Sequence, residues 1–145
     1  MVLGDYDELY DLSATKPTKS EQKENASTLK KPFPDSKIVE IENFKIGIIH
    51  GHQLSPPDGK VDTLASVARY MDVDVLCSGN THRFVAYEED GKFFINPGSA
   101  TGASSAYENN PTPSFVLLDI KENNMVVYFY QLTDEVIVDR IEYSK

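Results

Sequence analysis

From residue 37 onward the chain is written in short apolar segments separated by turn residues. Lys37 to Glu42 alternates apolar and polar positions, the pattern of a half-buried strand. Asn43-Phe44 is read as a turn, and Lys45 to Ile49 as a buried strand ending at His50-Gly51-His52. Gln53 to Gly59 holds Pro56, Pro57 and Gly59, a loop by composition. Asp62 to Met71 places Leu64, Val67, Ala68 and Met71 on one helical face. Val73 to Cys77 is a second buried strand and runs into Ser78-Gly79-Asn80-Thr81-His82. Phe84 to Glu88 and Lys92 to Ile95, joined through Asp90-Gly91, predict a hairpin that ends in Asn96-Pro97-Gly98-Ser99. Phe115 to Ile120, Met125 to Leu132 and Val136 to Ile141 predict three more strands. A strand–helix–strand unit followed by antiparallel strands implies a layered α/β sandwich.

The N-terminal part reads differently. Ser13 to Lys37 is rich in Lys, Ser, Thr and Pro, with six lysines against Glu21, Glu24 and Asp35. It carries too little apolar surface to offset its ordering entropy, so it is expected to be a flexible insertion in one domain spanning residues 1–145. Its lysines could touch an anionic membrane or simply be solvated.

The formal net charge of −9 argues against nucleic acid as a main ligand, since phosphate backbones attract Lys and Arg. One cysteine, Cys77, excludes an internal disulfide and fits a reducing, cytoplasmic compartment. No apolar run approaches the roughly 20 residues that span a bilayer, and the N-terminus has no signal-peptide pattern.

The candidate chemistry is concentrated in three histidines, His50, His52 and His82, all in loops after buried strands, where α/β sheets place their sites. With Asp5 and Asp7 beside Gly4 they form a donor mixture suited to Zn, Mn or Fe. A lone histidine is more often structural, but three at strand ends point to a present or former metal site.

At these blocks the sequence resembles the metallophosphoesterase family. Gly4-Asp5-Tyr6-Asp7, Ile49-His50-Gly51-His52, Gly79-Asn80-Thr81-His82 and Asn96-Pro97-Gly98-Ser99 follow the order of that family's motifs. The segments FKIGIIHGHQ, FFINPGSATGA and PSFVLLDI are similar to its non-catalytic branch, the scaffold subunits of the retromer cargo-sorting complex. The resemblance implies His50 as ligand of one metal and His82 of the other, with Asp5 at an asparagine position and Asn80 at a histidine position. The family's Asp-x-His and first Gly-Asp blocks are not in the sequence. The chain is therefore expected to lack the family's first strand–helix–strand segment, by truncation, and to keep only a vestigial site. No cofactor is expected beyond at most a weakly held Zn or Mn.

The same resemblance implies a protein-binding role in endosome-to-Golgi and plasma-membrane transport, with the chain on endosomes only through its complex. The side bearing His50, Gln53, Leu54, Ser55, Asn80 and His82 would meet the complex's helical solenoid subunit. An apolar face carrying Leu117, Tyr128 and Tyr130 would take Pro-Leu motifs of Rab regulators and effectors. The other reading of those three residues is plain β-sandwich core. The alternative function is a metal-dependent phosphodiesterase or phosphatase of the family's small bacterial-type branch.

Overall fold

A computed structural model of the protein describes residues 33–145. Asp5, Asp7 and most of the Ser13 to Lys37 stretch lie outside the described residues. The elements are β1 (Ser36–Ile41), β2 (Phe44–Ile49), α1 (Val61–Met71), β3 (Val75–Cys77), β4 (Phe84–Glu89), β5 (Lys92–Pro97), β6 (Ser114–Lys121), β7 (Asn124–Leu132) and β8 (Val136–Ser144). They build a five-stranded mixed sheet, ordered β1-β2-β3-β5-β4, and an antiparallel sheet, ordered β6-β7-β8. The strands β2, β3 and β5 run parallel at the centre, so their carboxyl ends open on one side.

Two cores hold three layers together. Phe44, Ile46, Val75, Phe93 and Ile95 from the mixed sheet meet Met125, Val127 and Tyr143 from the antiparallel sheet. On the opposite face Leu64, Ala65 and Ala68 of α1 pack on Ile49, Leu76 and Phe94. Gly47 lets the end of α1 come close, because a Cβ there would stand 3.1 Å from both Met71 Cε and Val73 Cγ2. The layered α/β sandwich expected from the pattern is the fold found.

Element boundaries differ in places. The first turn sits at Glu42-Asn43, with Glu42 at φ 52°, and Phe44 already belongs to β2, where its ring is buried. The strand β8 runs to Ser144, three residues past the apolar pattern, because Tyr143 turns inward to the core. The hairpin turn at Asp90-Gly91 has both residues at positive φ, 53° and 65°, the twist that suits two-residue hairpins.

A polar knot closes the end of the sandwich far from the histidines. The Lys45 N–H and the Lys145 ammonium both donate to Asp74 Oδ2, at 2.9 and 2.8 Å. Burial disfavours the ionised Asp74, but these two donors outweigh it and hold its carboxyl below the ordinary 3.8. A carboxyl depressed in the folded chain adds stability above its unfolded value and loses it as pH falls through the folded one. Asp74→Asn is therefore expected to cost about 1 kcal/mol near neutral pH. In thermal melts the gap to wild type should narrow below about pH 4. A gap constant down to strong acid would contradict this.

Candidate functional site

The carboxyl ends of β2 and β3 carry the two histidine loops. The Gly79 N–H donates to the His50 carbonyl at 2.8 Å, which ties the loops side by side. Asn80 and His82 have positive φ, 70° and 60°, a conformation that few non-glycine residues adopt. Such backbone persists only where neighbours hold it. Here Asn96, only 3% exposed, donates to the Gly79 carbonyl and to Thr81 Oγ1, both at 3.0 Å. Its Oδ1 accepts from the Gly98 N–H, so one side chain joins the loop after β3 to the Asn-Pro-Gly-Ser turn. Ser105 Oγ adds a donation to the Thr81 carbonyl at 2.8 Å.

Within this frame His52, Asn80 and His82 line an open cleft of about 430 Å³ with Pro57 and residues 104–107. Sequence reasoning missed the 104–107 wall because its Ser-Ser-Ala-Tyr run has no periodicity and no ligand type. His50 Nδ1 and His52 Nδ1 lie 2.9 Å apart, one ring donating and the other accepting. His82 Nδ1 donates to the Ala103 carbonyl at 2.7 Å, which fixes its tautomer and leaves Nε2 as the acceptor of the neutral ring. The Asn80 amide donates to the Pro57 carbonyl at 2.9 Å, leaving Oδ1 as its only candidate ligand atom.

These residues do not fit the two-ion centre that the resemblance implies. Among the described residues no group of three His, Cys, Asp or Glu converges on one point. Asn80 supplies an amide oxygen where an imidazole would bind Zn or Mn better. Two-metal phosphoryl chemistry requires both ions, held by several ligands each. Asp5, the remaining candidate, lies outside the described residues. Burial pushes the Cys77 thiol up to about 11.

The residues singled out for partner contact fall in two places. Gln53 and Ser55 are exposed beside the histidine loops, while Leu54 packs against the α1 core. The Gln53 side chain is engaged at both ends: Oε1 accepts from the Gly51 N–H, and Nε2 donates to the Asp35 carbonyl. Leu117, Tyr128 and Tyr130 share the outer face of the antiparallel sheet, where Leu117 lies opposite Tyr128 and Phe115 opposite Tyr130. Phe115 and Leu117 are each 54% exposed, and the Phe115 and Tyr130 rings stack at 4.5 Å. Their inward neighbours Val116 and Leu118 face the core. The choice between core and surface for Leu117 is thus settled as surface.

Comparison with known proteins bears on this arrangement. The model of the calcineurin-like phosphoesterase superfamily domain matches residues 1–123. Vacuolar protein sorting-associated protein 29 (Vps29) of Schizosaccharomyces pombe is 46% identical over 112 residues, which is 74% of this chain and 59% of that protein. A crystal structure of a single-substitution variant of Vps29 from Entamoeba histolytica has a TM-score of 0.80 at 37% identity, covering 99% of this chain and 68% of that one. Wild-type Vps29 of the same organism, complexed with Zn²⁺, has a TM-score of 0.74 at 44% identity, covering 77% of this chain and 62% of that one.

Proposed function

Because the chain belongs to the calcineurin-like phosphoesterase superfamily and resembles Vps29 over 74% of its length, we propose that it is a non-catalytic scaffold subunit of the retromer complex. In this reading it serves endosome-to-Golgi and plasma-membrane transport and reaches the endosomal surface only through its complex. The chain spans 59% of the length of the curated relative it matches. The activity and partners of the whole protein are therefore part of the proposal.

The observation that carries the reading is the outer face of β6 and β7. Exposed Phe115 and Leu117 stand beside half-buried Tyr128 and Tyr130, a contiguous apolar patch of the composition that interfaces favour. Tyrosine suits such a face because its ring can be covered while its hydroxyl stays wet. This face receives Pro-Leu motifs of Rab regulators and effectors. The side bearing the histidine loops, with Gln53, Leu54, Ser55, Asn80, His50 and His82, docks on the helical solenoid of vacuolar protein sorting-associated protein 35. The short donor set of the histidine loops supports a scaffold over a phosphodiesterase. Any Zn or Mn held there would be a single, weakly bound ion. Isothermal titration of the chain with a Pro-Leu peptide tests the proposal: saturable binding that requires Leu117 is expected, and no binding would contradict it.

A further inference from the structure

The free edge of β8 offers a second kind of interface. Among the described residues, β8 pairs as a strand only with β7, so alternate residues turn their backbone N–H and C=O groups to its other edge, where the Arg140 N–H is met by Oδ1 of its neighbour Asp139 at 2.8 Å. Natural edges are usually blunted by proline, bulges or charged side chains, lysine above all. The segment Val136–Ser144 contains no proline, glycine or lysine, and its charges are Asp139, Arg140 and Glu142. Val136, Ile137 and Val138 at its start, with Leu132 opposite Val136 on β7, are all exposed, between 47% and 65%.

The charges along β8 select one occupant. Arg140 and Glu142 share the outer face, opposite Tyr128 and Val126 on β7. They lie side by side at 3.5 Å, and both are largely exposed. Consider two copies of β8 meeting antiparallel, with the outer faces of both sheets on one side. Residues directly opposite then share a face, so the symmetry point must fall on a single residue. Centred on Asp139, Arg140 or Glu142, each register sets that charged residue against its own copy, which is unfavourable. Centred on Ile141, Arg140 faces the second copy's Glu142 twice, and Ile141 faces Ile141. Asp139 then stands opposite Tyr143, and Val138 opposite Ser144.

We propose that two copies of this chain associate through antiparallel β8 edges in the register centred on Ile141, forming a continuous six-stranded sheet. The dimer doubles the outer apolar face without covering Leu117. It does not depend on the retromer reading, since its contacts use neither Leu117, Tyr128 and Tyr130 nor the histidine loops. An interface of one strand pair falls below the roughly 1,200 Å² of stable complexes, so association is weak and concentration-dependent.

Sedimentation equilibrium of the full 145-residue chain between about 10 and 500 µM tests this. The weight-average mass should rise from 16.2 kDa toward twice that value. Arg140→Glu alone and Glu142→Arg alone each place like charges opposite and should weaken dimerisation about 10-fold. The double reversal restores opposite charges and should regain it. Circular dichroism confirms that each variant is folded. Independently of any variant, amide hydrogen exchange across β8 should slow as wild-type concentration rises. Monomer mass throughout, a double variant no better than the singles, or exchange indifferent to concentration would each overturn the proposal.

Discussion

Replacing Leu117 with aspartate is expected to weaken binding of a Pro-Leu peptide by about 2 kcal/mol, roughly 30-fold, while leaving the fold intact. Leu117 is 54% exposed, so the carboxylate costs little in the free chain. In a complex it would be desolvated among Phe115, Tyr128 and Tyr130, with no cation on the opposing strand position. Anchors of binding tend to be residues of this kind, central in an apolar patch and flanked by aromatic rings. Isothermal titration of wild type and variant measures the difference. Equal affinities in a folded variant would remove this face from the account.

Phe94→Ala is expected to lower the stability of the chain by about 3–5 kcal/mol in urea denaturation, with the denaturant slope unchanged. Phe94 is 1% exposed on β5, paired with Leu76 and packed among the buried residues of α1. Its ring stacks on Tyr87 at 5.2 Å, and the buried Tyr87 hydroxyl has no hydrogen-bond partner among the described residues. Removing the phenyl ring leaves a cavity bounded by both the sheet and the helix, with little freedom to collapse. Against typical stabilities of about 5–15 kcal/mol the loss is a large fraction. A cost below about 1 kcal/mol would mean that α1 is not anchored as described.

The contrast between these two strands shows what could be read from sequence. Alternation gave α1 and the strands to within a few residues, because burial on one face imposes period 3.6 or 2 directly. Asp90-Gly91 announced its hairpin, since both residues tolerate positive φ. The histidine loops were legible as strand-end residues of metal-binding type. The split into two sheets was not, because nothing local distinguishes a strand that pairs with β5 from one that pairs with β7. For the same reason β6, with apolar residues on both faces, left Leu117 open between core and surface until its register with Tyr128 was known. Asn96 lay in plain sight within its turn motif, but its part in holding the Asn80 and His82 backbone depends on contacts 15 and 17 residues away. Asp74, one of several acids in a charged chain, carried no signal for its role.

The proposed function has this chain working by binding proteins and not by cleaving phosphoesters. Hydrolysis of bis-p-nitrophenyl phosphate by the purified chain with added Mn²⁺ or Zn²⁺ tests it most directly. The account predicts a rate equal to that of the metal alone, unchanged in His82→Ala. Metal-dependent turnover that His82→Ala abolishes would contradict it.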